Sequence, residues 1–128
     1  MGLDMFLYSY EETEKKDHKV RVHWIEWRKA NAIHWWFVSK IQGGVDEGDE
    51  YPVPREKLVE LLELCVAAHG SDWVESSKLM PTMPGPFFGS TAYDDHYYWE
   101  LDNTISKLEW LLSSPKSQRV HFYYHAWW

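Results

Sequence analysis

The sequence predicts a single α+β domain over residues 1–128, a small antiparallel sheet with three helices laid on it in the order ββαααβ. Three observations carry that prediction. Apolar and polar residues alternate over 3–10 and again over roughly 18–26, and the charged run Glu11–Asp17 between them reads as the turn of a long hairpin. The period then lengthens to that of a helix in three successive segments. At 119–127 it returns to strict alternation, so a last strand closes the sheet.

In the first strand Leu3, Met5 and Leu7 share one side, with Asp4, Phe6, Tyr8 and Tyr10 on the other. The second strand places Val20, Val22 and Trp24 on one face and Arg21, His23 and Ile25 on the opposite one. Ala30, Ile33, His34, Phe37, Val38 and Ile41 then recur at helical spacing, with Trp27 at the edge of the apolar arc and Gly43-Gly44 as the stop. Residues 45–54, VDEGDEYPVP, form an acidic loop whose carboxylates lack the order of a calcium-binding hand. Pro54 is placed as the first residue of the second helix, whose stripe is Leu58, Leu61, Leu62, Cys65 and Ala68, closed by Gly70. The stretch 71–89 is irregular, with one helical turn around Trp73 to Leu79. The third helix starts near Thr91–Tyr93, where Thr91 and Asp94 have capping-box spacing, and its stripe is Tyr98, Leu101, Ile105, Leu108 and Leu112. In the last strand Val120, Phe122, Tyr124, Ala126 and Trp128 face the core, and Arg119, His121, Tyr123, His125 and Trp127 face away.

Composition narrows the function. Thirteen Lys and Arg against 20 Asp and Glu give a formal charge of −7, which argues against gripping a long nucleic-acid backbone. Nine Trp, eight Tyr and five Phe make 17% of the chain aromatic at a mean hydropathy of −0.54, a combination that fits neither a transmembrane protein nor a disordered tail nor a low-complexity linker, and no membrane partner is expected. The single cysteine, Cys65, excludes an intrachain disulfide and reads as a small buried hydrophobe, in keeping with a reducing cytoplasm. The first residues lack a basic region, an apolar run and a cleavage site, so secretion is not expected.

The aromatic surplus points to ligand contact. Trp35 and Trp36 are adjacent on a helix and cannot both face one core. In FFGST (87–91), Gly89, Ser90 and Thr91 would offer N–H groups and hydroxyls to an anion at a helix N-terminus, with Phe87 and Phe88 flanking a planar base. An ordinary capped helix explains the same string, and Asp94 and Asp95 already oppose its dipole. Arg28 and Asn31, at the start of the first helix, would clamp a phosphate and read a base edge; the alternative is a solvated first turn with Arg28 paired to Glu26. The expected ligand-binding set is therefore Arg28, Asn31, Trp35, Trp36, Phe88, Gly89, Ser90, Thr91 and Tyr93. A further candidate surface is the outward side of the last strand beside Arg21, His23, Phe6, Tyr8 and Tyr10, unless residues 71–89 or a second subunit cover it. No metal site, cofactor motif or catalytic constellation is expected: His121 and His125 are too far apart on a strand to chelate one ion alone, and the glycine-rich, P-loop and nucleophile-elbow strings are absent.

MGLDM at 1–5, RKANAIHWWFV at 28–38 and FFGSTAYDDHYY at 87–98 together resemble a family of small proteins encoded by bacteriophages and prophages. The resemblance covers most of the chain in the same order. It departs in the hairpin turn, the Pro54 helix start and the Trp-rich last strand. It implies a setting, the cytoplasm of an infected bacterial host, and a role in countering host defence. The expected function is a non-catalytic binder that sequesters a small nucleotide-like ligand. Two alternatives stand beside it: an inhibitor docking an aromatic face on a host protein or on a second copy as a homo-oligomer, and a small nucleotide hydrolase using His and Asp as acid and base.

Overall fold

The computed structural model describes residues 2–15 and 18–128. Among them the chain is α+β, with an antiparallel four-stranded sheet and four helices. Strands β1 (Asp4–Glu12) and β2 (Lys19–Arg28) form the hairpin; Lys16 and Asp17 of the expected turn lie outside the described residues. Helix α1 (Asn31–Lys40) follows, then a short strand β3 (Tyr51–Val53). Helices α2 (Arg55–His69), α3 (Trp73–Leu79) and α4 (Asp95–Ser113) come next, then a 3-10 turn at Pro115–Arg119 and strand β4 (Phe122–Trp127). The strand order is β2-β1-β4-β3. The predicted ββαααβ order thus gains an edge strand and a seven-residue helix where one turn was expected.

Most helix-facing residues follow the alternation. Leu3 just ahead of β1, Met5 and Leu7 of β1, and Phe122, Tyr124 and Ala126 of β4 are buried against Ile33, Trp36 and Phe37 of α1, Leu58, Leu61 and Cys65 of α2, and Leu101 and Leu108 of α4. The Phe37 ring lies flat on Tyr124, centroids 3.8 Å apart and planes 4° from parallel, worth about 1 kcal/mol beyond the area it buries.

In β2 the alternation breaks. The register with β1 runs Tyr8 to His23 and then Leu7 to Ile25, so Trp24 is an extra, bulged residue. Trp24 and Ile25 consequently both face the helices: Trp24 donates its indole N–H to Ser9 Oγ and contacts Phe122 and Trp110, while Ile25 is buried. Ile25 therefore leaves the Arg21–His23 face, where the sequence had placed it. Trp27 and Arg28 also belong to β2 and not to the first helix. Trp27 is buried and donates its N–H to Thr104 Oγ1 of α4 at 2.9 Å.

Two helix starts shift as well. Pro54 caps α2 instead of opening it. Helix α4 is capped by Asp94, whose carboxylate accepts the N–H of Tyr97, and it begins four residues beyond Thr91. Its buried face is rotated by one residue from the expected stripe. Tyr97, Thr104 and Leu111 are buried where Tyr98, Ile105 and Leu112 are half-buried, because Tyr97 donates to the Met80 carbonyl and Thr104 receives the Trp27 N–H. No helix among the described residues is long and apolar enough to cross a membrane.

Candidate ligand-binding face of the sheet

The residues of the expected FFGST site are brought together, but chiefly around one another. Asn31 is buried; its amide donates to the carbonyls of Phe88 and Ser90, and its oxygen accepts the N–H of Met83. Phe88 is in the core against His34 and Trp128. It lies so close over Gly85 that a Cβ there would come within 2.5 Å of its ring. Phe87 is exposed at φ 60°, so the two phenylalanines cannot flank one base. Gly89, at φ 88°, lies against Lys29; Ser90 Oγ accepts the Ala92 N–H, Thr91 offers its carbonyl to Thr82 Oγ1, and the Tyr93 hydroxyl accepts the Thr82 N–H. Because α4 starts at Asp95, Gly89, Ser90 and Thr91 do not form a helix N-terminus. The crevice beside Asn31, Ser90 and Glu100 has a volume of about 30 Å³, room for a water molecule or two.

The other expected residues scatter. Arg28 is exposed on β2, 3.9 Å from the Asp4 carboxylate and not paired to Glu26. Trp36 is fully buried, edge-on to Phe37, and Trp35 is half-buried at the rim of the core. The pair of tryptophans is thus divided between core and rim.

The sheet face turned away from the helices is different. Residues 81–90 pack on the helix side, through Asn31 and Phe88, and leave this face open. Tyr8 sits at its centre, enclosed by its neighbours. Tyr123 of β4 stacks beside it at 6.1 Å, Tyr10 meets both rings edge-on, His23 lies at 6.0 Å, and the Arg21 guanidinium sits 4.4 Å above the ring. Phe6 and Trp127 extend the aromatic surface, against His23 and His125 respectively.

One carboxylate enters this face. Glu50, just ahead of β3, accepts hydrogen bonds from the hydroxyls of both Tyr8 and Tyr10, and the same oxygen lies 3.8 Å from Arg21. Burial alone would raise the Glu50 pKa, but the two phenols and the charges of Arg21 and His125 outweigh it and hold the carboxyl below its ordinary value. Burial and the Glu50 hydrogen bond push the Tyr8 phenol well up, so Tyr8 remains a donor.

At the Tyr10–Tyr123 end, β1 and β4 part and leave a cavity of about 170 Å³. Tyr10 and Tyr123 form its aromatic walls, and Lys19, Arg119 and His121 its polar ones. None of the lining residues is acidic, although Glu12 stands opposite Lys19 in the hairpin register. Val120, His121 and Tyr123 also line a larger groove of about 650 Å³ running past Pro52 and Pro54 along the short β3 edge, a volume in the range of small-molecule sites. The outward residues of β4 were legible as a candidate face; Lys19 and Glu50 were not, because nothing in the local sequence joins them to it.

Cys65, the one thiol, and His34 are enclosed. Burial pushes the Cys65 thiol up to about 12, which leaves it unionised. His34 bridges Asp46, at 2.8 Å from Nε2, and the Tyr124 hydroxyl, at 2.6 Å from Nδ1, but the His34 and Tyr124 side chains are wholly buried. No group of three or more His, Cys, Asp or Glu is placed to hold a metal ion among the described residues.

The fold and this surface define a one-sided α+β sandwich whose open sheet face is aromatic and carries Arg and His. Comparison with family models, with curated proteins and with solved structures finds no match to the chain.

Proposed function

We propose that the protein binds a small anionic, nucleotide-type ligand without transforming it, at the Tyr10–Tyr123 end of the open sheet face. The carrying observation is the cavity of Lys19, Arg119 and His121 walled by two tyrosines, a cationic pocket in a chain whose formal charge is −7. Tyrosine faces stack on a planar base, and the cations meet phosphate oxygens. The adjoining groove along β3 gives the remainder of such a ligand room. Burial of the Cys65 thiol and of the His34 ring supports binding over hydrolysis. With the phage-family resemblance, this reading becomes sequestration of a nucleotide immune signal in the cytoplasm of an infected bacterium.

Isothermal titration against mononucleotides, cyclic dinucleotides and cyclic ADP-ribose isomers tests it. Micromolar or tighter binding of at least one, recovered intact by mass spectrometry, is the expected result. Absence of heat for the whole panel at tens of micromolar protein would overturn it.

A second reading, docking on a host protein or on a second copy, rests on α4. Trp99 and Trp110 are 56% and 57% exposed and lie three helical turns apart on one side. Loss of a stoichiometric protein partner, or of a dimer, in a W99A/W110A variant with unchanged ligand binding would favour it.

A further inference from the structure

We infer that Tyr8, Tyr10 and Arg21 form an oxyanion site for one phosphoryl group of the ligand, and that Glu50 occupies this site in the ligand-free chain. The inference rests on the nucleotide-binding reading and names the part of the face that holds charge. Two phenol O–H groups converging on one carboxylate oxygen, with a guanidinium 3.8 Å away, are a donor set for an oxyanion of any kind. A phosphoryl group offers the same acceptor geometry with more charge.

Tyr8 is the most firmly held of the donors. Tyr8 lies in the middle of the sheet, fully buried under Arg21 and beside Tyr123, so its hydroxyl keeps its aim when the carboxylate leaves. Arg21 faces Tyr10 across the β1–β2 ladder. Glu50 reaches the site from the exposed loop 43–50, which contains Gly43, Gly44 and Gly48, and its side chain is 34% exposed where Tyr8 is wholly buried. Tyr10 also walls the basic cavity, so the oxyanion site and the cluster of Lys19, Arg119 and His121 are contiguous. A ligand with two linked phosphates can address both, its first phosphate replacing Glu50. A site filled by its own side chain nine-tenths of the time binds about tenfold more weakly than the open site.

The test titrates inorganic pyrophosphate into the wild-type protein and the E50A, E50Q and D49N variants, each checked for folding by circular dichroism. D49N makes the same change in charge within the loop without vacating the site, and so controls for general electrostatics. The expected result is that E50A binds pyrophosphate about tenfold tighter than D49N, that E50Q shifts the same way by less, and that R21Q in the E50A background cancels the gain. Equal affinity of E50A and D49N, or no pyrophosphate binding by either, would overturn the inference. A nucleotide that binds the wild type but not E50A would also overturn it, assigning Glu50 to ligand recognition while the nucleotide reading stands. A pyrophosphate gain in E50A with no nucleotide bound by any variant would support the oxyanion site and sink the nucleotide reading.

Discussion

At Asn31 one carboxamide holds three backbone groups from a single irregular segment: the N–H of Met83 and the carbonyls of Phe88 and Ser90. Residues 81–90 have no ladder of their own, so this side chain does the work of a strand partner. N31A leaves those groups unpaired beside the core and should lower the unfolding free energy by about 3 kcal/mol. N31D should cost as much at neutral pH, since a carboxylate cannot donate to the two carbonyls. Urea unfolding followed by tryptophan fluorescence measures both, and ligand affinity of the folded fraction should not change. His34 gives the second prediction at this scale. Desolvation lowers its pKa from the ordinary 6.5, against the opposing hydrogen bond and charge of Asp46. The neutral ring satisfies all three groups when Nε2–H donates to Asp46 and Nδ1 accepts the Tyr124 O–H. Below about pH 6.5 the unfolded chain takes up a proton that the folded ring resists. The stability contributed by His34 is therefore complete above that pH and is lost as pH falls through the folded value. Unfolding curves between pH 7.5 and 5 should show this decline, and H34Q should flatten it.

Helix α4 tests where an element begins. Asp94 accepts the Tyr97 N–H, whereas Thr91 is exposed and takes part only through its carbonyl. D94A should therefore cost about 1 kcal/mol, and T91A less than about half of that, in the same unfolding assay. Thr91–Asp94 has the spacing of a capping box, which is why the sequence suggests the earlier start; Asp94 and Asp95 supply a better cap one turn later. The strands and helices were largely legible because one-sided burial imposes periods of 2 and 3.6 on the sequence. What escaped has a local cause in each case. Tyr51–Val53 is three residues with Pro52 in the middle, too short for a period and tolerable on an edge. The bulge at Trp24 reverses the alternation for Ile25 and Trp27, and an alternation rule carries no memory of an inserted residue. It also moves Trp27 under α4 and so draws the end of β2 away from the helix it was expected to begin.

For the whole molecule, placing every helix on one face leaves the other to the strands, and that asymmetry concentrates Arg and His on an otherwise acidic chain. The aromatic and His-bearing side of β4 could be read from alternation alone. Its completion by Lys19 from the hairpin and Glu50 from a loop 40 residues beyond Tyr10 depends on closure of the sheet, which no local pattern encodes. The same asymmetry yields a prediction about charge. Replacing Lys19 and Arg119 together with Gln makes the protein two charges more negative but removes those charges only at the cavity. Replacing Lys57 and Lys78 makes the same change on α2 and α3, where each lysine pairs with a glutamate of its own helix. If binding depended on net charge, both double variants would weaken a phosphorylated ligand equally. If specific donors meet the oxygens, as proposed, K19Q/R119Q should weaken it by roughly tenfold for each lost contact, and K57Q/K78Q by less than about twofold at physiological salt, where the screening length is about 8 Å. Titration of both variants in 0.05 and 0.3 M salt separates the cases: the affinity that remains in K19Q/R119Q should also depend less on salt than that of the wild type.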